Sequence, residues 1–289
     1  MGDWVLGVIG GSGLYAIDGL EDVQTLDIDT PWGAPSGPLT RGRIGGHRFL
    51  FLPRHGPGHC FSPTDVPYRA NIAALKLAGA SDILSVSAVG SLREDLAPGD
   101  FVVVDQFIDR TFAREKSFFG SGLAAHVSLA DPVCSRLSVL AERAARAAGA
   151  NVRQGGTYLA MEGPQFSTRA ESRLYRQWGC DVIGMTAMPE AKLAREAELP
   201  YAIVAMVTDY DCWREEEAGV EVSDVLAVLS GNAHKARRML IELAALLPNE
   251  RSASPIDRAL DHAIMTVPAA RDPAMAARLG AIAGRVLRA

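Results

Sequence analysis

Two aspartates stand one residue apart in Thr208-Asp209-Tyr210-Asp211-Cys212-Trp213, directly after the apolar run 201–207. Side chains alternate along an extended segment, so Asp209 and Asp211 are expected on one side and Tyr210 on the other. Two carboxylates so placed can share work on a nitrogen heterocycle. One donates a proton to a ring nitrogen while the other accepts from an exocyclic amine. The donor must keep its proton near neutral pH, which burial and a like-charged neighbour both favour. The same residues also read as solvated acids in a turn, and no histidine stands near enough in sequence to favour a metal.

A second set of residues suits an anion. Gly10-Gly11-Ser12-Gly13 follows the first apolar run, and its amides with the Ser12 hydroxyl can form a nest for one phosphate. Gly11-x-Gly13-x-x-Ala16 also imitates the dinucleotide fingerprint. The following Ile17-Asp18-Gly19 interrupts the helix that fingerprint needs, and the next thirty or so residues read as hairpins. Arg54-His55 follows the strand 49–52. Arginine offers a planar fork of donors, and histidine a donor whose charge adjusts near neutral pH. Ser87-Ala88-Val89-Gly90 and Met185-Thr186 close two further strands with small or hydroxyl-bearing residues. Each pair alone reads as an ordinary surface feature or turn. Four strand ends carrying phosphate-compatible donors together point to ligand binding at carboxyl strand ends.

The elements that must position these residues follow from hydrophobic patterning. Strands are expected at 4–9, 82–86, 101–105, 155–161, 181–185 and 201–208, with hairpins between 23 and 53. Helices are expected at 66–78, 132–148, 167–178, 190–196 and 223–247, the third opened by a Ser-Thr-Arg-Ala-Glu cap. Strands alternating with helices predict an α/β layered domain around a central sheet. The catalytic domain is expected to span 1–247. Residues 248–255 read as a linker, and 248–289 as a helical tail with a docked pair of short helices.

Composition narrows the function. The 289 residues are 48% hydrophobic and 22% charged, with a formal net charge of −5. That balance disfavours nucleic-acid and anionic-membrane partners, which select basic surfaces. No stretch approaches the ~18 apolar residues a membrane span requires. The N-terminus reads as a first strand, not a signal peptide. The four cysteines are scattered, as expected of free thiols in the cytoplasm, and no metal or cofactor is expected.

The motifs also carry a resemblance. Ile9-Gly10-Gly11-Ser12-Gly13-Leu14, Arg54-His55-Gly56, Ser87 through Glu94, Asp105 through Thr111, Met161 through Glu171, Met185 through Glu190 and Thr208 through Trp213 run in the order found in 5'-methylthioadenosine phosphorylases. The sequence resembles that family from residue 5 to about 245. The resemblance implies the nucleoside phosphorylase fold, three layers with a twisted mixed central β-sheet flanked by helices. It also implies a homotrimer, or a dimer of trimers, and phosphorolysis of methylthioadenosine to adenine and 5-methylthioribose 1-phosphate in methionine and purine salvage. Phosphate would be a co-substrate, held by Gly10, Ser12, Arg54, His55, Ser87, Ala88 and Thr186. Met185 would lie against the ribose. Phe166, Ser167, Asp209 and Asp211 would surround the base, with Asp209 protonating N7 and Asp211 accepting from the 6-amino group.

Val222, Val225 and Leu226 match the apolar wall for the methylthio group and read equally as helix core. His126 matches a residue lent to the neighbouring subunit. Ser12 and Ser87 stand where the animal enzymes have threonine, and Gly184 where they have asparagine. Rival readings are an adenosine-, inosine- or methylthioinosine-preferring phosphorylase, a dinucleotide-dependent oxidoreductase, and a non-catalytic purine binder. The related methylthioinosine enzymes lack the Asp-x-Asp arrangement, so Asp209 and Asp211 favour a 6-aminopurine.

Overall fold

The structure, a computed structural model, describes residues 3–14, 17–214 and 222–288; the side chains of Ser12, Val222, Ser223, Asp224 and Ala227 lie outside the described set. In chain order the strands are β1 (Val5–Gly10), β2 (Glu21–Leu26), β3 (Leu39–Ile44), β4 (His47–Pro53), β5 (Asp82–Ser91), β6 (Phe101–Val103), β7 (Gln106–Asp109), β8 (Val152–Gln154), β9 (Thr157–Ala160), β10 (Val182–Gly184) and β11 (Tyr201–Asp209). The helices are α1 (Tyr68–Leu77), α2 (Ser135–Ala147), α3 (Arg169–Gln177), α4 (Ala187–Glu196), α5 (Val222–Leu246), α6 (Pro273–Arg278) and α7 (Gly280–Leu287).

All the described strands join one mixed sheet. Its main path runs β2-β3-β4-β1-β5-β10-β9-β7, and β11, β6 and β8 branch from β5. Both faces of its centre are covered, as alternation along single strands shows. On β11, Tyr201, Ile203 and Ala205 enter one apolar cluster with Ile72 of α1 and Leu193 of α4. Ala202 and Val204 enter another with Leu137 of α2 and Met239 and Leu240 of α5. The result is the expected three layers. In α2, Leu137, Ala141, Ala144 and Ala145 are buried at spacings of four, three and one, the stripe an amphipathic helix presents to a sheet. Thr168 and Glu171 cap α3 reciprocally, as the sequence signature predicts.

Three short strands, β6, β7 and β8, differ from expectation. The strand expected at 101–105 stops at Val103, β7 begins separately at Gln106, and β8 was not foreseen. Runs of three or four residues hold too little periodicity to read.

The C-terminal residues pack into the same core. Leu260, Leu279, Ile282 and Ala283 are buried with residues of α1, α4 and β11. Burying each large side chain of that kind stabilises by roughly 1.5–3 kcal/mol. Polar ties reinforce the docking: Arg251 Nε meets the buried Asp82 carboxylate at 2.5 Å, and Arg285 Nη2 meets Glu198 at the same distance.

Candidate active site

β5 forms the floor of the site. Along one edge it carries β11 from Ile83 to Gly90, with a bulge just before Asp209. Along the other edge it pairs with β1 only as far as Ile9 opposite Ser85, and with β10 only from Ile183 opposite Gly90 onward. β1 runs parallel to β5 and β10 antiparallel, so their carboxyl ends face each other across the stretch 86–89. Along that edge none of the described strands pairs with β5 there. Ala88 is exposed in this gap although Ser87 and Val89 on either side are buried. Sheets bind ligands where strand direction splits in this way, because the backbone groups of the uncovered edge are left for a ligand to satisfy.

The anion-suited residues converge on the gap. Gly10 ends β1, and a Cβ there would stand 2.2 Å from Leu14 Cδ1, so any larger residue would displace the Leu14 side chain. Ser12 begins that turn; its side chain lies outside the described residues. Thr186 follows β10, and its Oγ1 lies 3.4 Å from Ser87 Oγ. Arg54 follows β4 and donates its amide to Gly10 O at 3.0 Å.

The Arg54 guanidinium departs from expectation. It is only 3% exposed. Its fork is turned on Glu190, Nε at 2.9 Å and Nη2 at 3.2 Å, while Nη1 donates to Val86 O at 3.0 Å. One Nη1 hydrogen remains to offer a ligand. Burial works against the Arg54 charge, but Glu190 outweighs it and holds the pKa above the ordinary arginine value. Glu190 also accepts from Ser85 Oγ at 2.7 Å and Tyr201 Oη at 2.9 Å.

His55 departs from expectation as well. Burial, aided by the charge of Arg54 and by His59, lowers its pKa to about 4 despite the Phe61 carbonyl, so the ring is neutral near pH 7. Nδ1 lies 2.9 Å from Phe61 O, and only a protonated Nδ1 makes that a hydrogen bond. The neutral ring therefore presents an unprotonated Nε2, an acceptor where a donor was expected. The anion cradle has little net charge, and hydroxyl and amide dipoles must carry most of the binding.

The carboxylates gather at the other end of the gap. Asp209 stands opposite Gly90, and a Cβ at Gly90 would lie 2.9 Å from Asp209 Oδ1 and 3.4 Å from Asp211 Cβ. Strict alternation does not bring the two acids together. β11 ends at Asp209, and Asp211 turns into the left-handed region at φ 52°, a conformation aspartate tolerates better than most residues. Asp209 Oδ1 accepts the Asp211 amide at 2.8 Å, and Oδ2 accepts the Thr208 hydroxyl at 2.7 Å. Burial raises the Asp211 carboxyl above the usual range, and the Asp209 charge adds to this. Ser167 lies beside this turn, its carbonyl accepting from Cys212 Sγ at 3.1 Å.

Gly10 lies one residue past the Ile9–Ser85 pair, level with Val86, and Asp209 is level with Gly90. Four residues of strand separate cradle and acids, about 13 Å at ~3.3 Å per residue. Ala88 lies midway between them on β5. Phe166 is 42% exposed beside Ser167, and Leu226, on the first turns of α5, is 57% exposed. Val225 is half-buried, and the Val222 side chain is outside the described residues. His126 is exposed on a loop fixed by its amide to Ala263 O at 2.8 Å.

Matching this geometry, residues 5–245 fit the family model described as the phosphorylase superfamily. The chain belongs to the phosphorylase superfamily. Relatives within the superfamily match almost end to end. The S-methyl-5'-thioadenosine phosphorylase of Cereibacter sphaeroides is 62% identical over 98% of this chain and 99% of its own. That of Rhodospirillum rubrum is 59% identical over 98% and 97%. Among solved structures, a methylthioadenosine phosphorylase from an antarctic soil metagenomic library superposes with a TM-score of 0.92 at 45% identity, covering 98% of this chain and 99% of that one. A variant of the Schistosoma mansoni adenosine/methylthioadenosine phosphorylase, solved with methylthioadenosine, gives 0.80 at 39% identity over 84% and 91%.

Phosphorylase chemistry also gives meaning to residues the sequence did not single out. Glu190 sets the orientation of Arg54. Arg114, buried, donates Nε to Glu162 at 2.9 Å and Nη1 to Met188 O at 2.8 Å and to Met185 O, so it grips the turn that carries Thr186. Burial would raise the Glu162 carboxyl, but hydrogen bonds from Thr64, Phe112, Ala113 and Arg114 hold its pKa down to about 2. These contacts join residues 46 or more apart, and no local spacing announces them. Among the described residues no group of three or more His, Cys, Asp or Glu could hold a metal, and no helix is long and apolar enough to cross a membrane.

Proposed function

We propose that this pentosyltransferase cleaves 5'-methylthioadenosine with inorganic phosphate, releasing adenine and 5-methylthioribose 1-phosphate. The observation that carries the reading is the single gap on β5, with phosphate-suited donors at one end and an Asp-x-Asp pair about a nucleoside's length away at the other. The near-complete match to relatives named for this activity supports it.

In this mechanism the C1'–N9 bond loosens toward an oxocarbenium-like state as phosphate approaches from the opposite face. Gly10, Ser12, Ser87, Ala88 and Thr186 hold the phosphate with hydroxyl and amide donors, and Arg54 adds its remaining N–H. Neutral His55 accepts from a phosphate hydroxyl. Catalysis by these groups is positioning plus preorganised dipoles. In the free protein burial favours the protonated form of Asp211, while Asp209 already accepts two hydrogen bonds. When the 6-amino group donates to Asp211, its carboxylate form is favoured, and the shared proton becomes available at Asp209 for N7. Adenine then leaves neutral. Ser167 and Phe166 frame the base, Met185 lies under the ribose, and Val222, Val225 and Leu226 wall the methylthio group.

The site is completed in a homotrimer by His126 of a neighbouring copy, and the enzyme works in the cytoplasm in methionine and purine salvage. Tail and loop exposure at His126 suits that role. The deciding experiment measures adenine release from methylthioadenosine with and without phosphate, beside adenosine, inosine and methylthioinosine. Phosphate-dependent release fastest on methylthioadenosine is expected. Release without phosphate would mark a hydrolase, and a preference for the 6-oxopurines would remove the assigned role of Asp209 and Asp211.

A further inference from the structure

Three hydroxyls meet at the anion end of the gap, and one of them belongs to no strand end. Tyr158, in the middle of β9, is fully buried. Its ring passes beneath β10, and its Oη lies 3.4 Å from Ser87 Oγ. It reaches that point because residue 184 is glycine. A Cβ at Gly184 would stand 1.9 Å from Tyr158 Oη and 2.6 Å from Cζ, so any other residue would expel the ring. Ser87 Oγ in turn lies 3.4 Å from Thr186 Oγ1 and 3.3 Å from Ala88 O. Hydroxyl hydrogen bonds ordinarily close to 2.5–3.0 Å. Every distance around Ser87 is longer than that, with Ser87 and Thr186 both buried, so these hydroxyls are held near one another by long, weak hydrogen bonds. An anion accepting from Ser87 and Thr186 would draw the set together.

We propose that Tyr158 is a positioning residue of the phosphate site, acting through Ser87 and admitted by Gly184. Tyr158 donates to Ser87 Oγ, which turns the Ser87 hydrogen outward to the phosphate and strengthens it as a donor through the chain of hydrogen bonds. Tyr158, sealed behind Ser87, does not touch the ligand. The burial that raises its pKa keeps the phenol protonated, as a donor must be. This rests on the proposed reading of Ser87 as a phosphate ligand.

Tyr158→Phe removes the hydroxyl and keeps the ring, so the fold should survive with a melting temperature close to the parent's. Its apparent KM for phosphate should rise about 3–10-fold, the range of one modest hydrogen bond, while the KM for nucleoside stays within twofold. Ser87→Ala should show a similar or larger phosphate defect, and adding Tyr158→Phe to it should change nothing further. Gly184→Ala, which displaces the ring, should match or exceed Tyr158→Phe. A phosphate KM unchanged in Tyr158→Phe, or defects that multiply in the double variant, would overturn the assignment of Tyr158. If Ser87→Ala itself leaves phosphate KM unchanged, the reading of the cradle fails instead.

Discussion

Replacing Glu190 with glutamine isolates the electrostatics of the anion site. The Arg54–Glu190 pair is sealed, both side chains 3% exposed, with Nε and Nη2 on the two carboxylate oxygens at 2.9 and 3.2 Å. Glutamine keeps the shape and can hydrogen-bond Ser85 and Tyr201, whose hydroxyls rotate to suit. It removes the countercharge and leaves a buried cation alone. Breaking one side of a buried pair costs about 3–5 kcal/mol. At ~2–4 °C per kcal/mol for a chain approaching this size, the melting temperature in phosphate-free buffer should fall by roughly 6–20 °C. Phosphate then supplies the missing negative charge. Ligand at a hundred times its dissociation constant returns about 2.7 kcal/mol to any binder, and the variant should gain more than that relative to the parent at equal concentration. The assay is calorimetric melting of parent and Glu190→Gln across a phosphate series. A loss under 2 °C, or a phosphate response no steeper than the parent's, would refute the view that Glu190 neutralises a cation directed at the ligand.

Two further outcomes are expected. Arg114→Lys replaces a rigid fork that holds the Met185 and Met188 carbonyls with a single ammonium; kcat/KM should drop about 10–100-fold in steady-state assays, and retention of parental rates would show that the 185–188 turn needs no such grip. For Asp211, the folded protein holds a proton more tightly than the unfolded chain does, so this carboxyl favours folding at low pH and loses that contribution as pH rises through its elevated pKa. Asp211→Asn should therefore melt above the parent at pH 8, with a smaller advantage at pH 5, while kcat falls at least 100-fold; an advantage larger at pH 5 would contradict the sign.

Long apolar runs and strand-end motifs carried most of the legible information. The runs around Ile83 and Ile203 announced buried parallel strands because both faces of each are covered, and the short polar motifs after them marked the site because strands terminate there. Roles within the site were less legible where they depend on distant partners. Arg54 read as a phosphate fork because nothing local reveals a carboxylate 136 residues away. His55 read as titrating near neutrality because its burial and its bond to Phe61 are properties of the folded turn. The two aspartates were placed together by alternation, yet the fold uses a left-handed turn at Asp211 to the same end. Tyr158 read simply as part of an apolar strand, and the absent side chain at Gly184 as a loss.

The packing of residues 248–288 against the sheet bears on how the protein is made. Leu260, Leu279 and Ile282 cover a face that α1 and α4 leave apolar, and they are synthesised after every strand of the sheet. At about 5–20 residues per second those 41 residues take roughly 2–8 s to emerge. During that interval a nearly complete sheet waits on the ribosome with an oily flank uncovered, a window in which nascent chains can stick to one another and in which chaperone capture has most to offer.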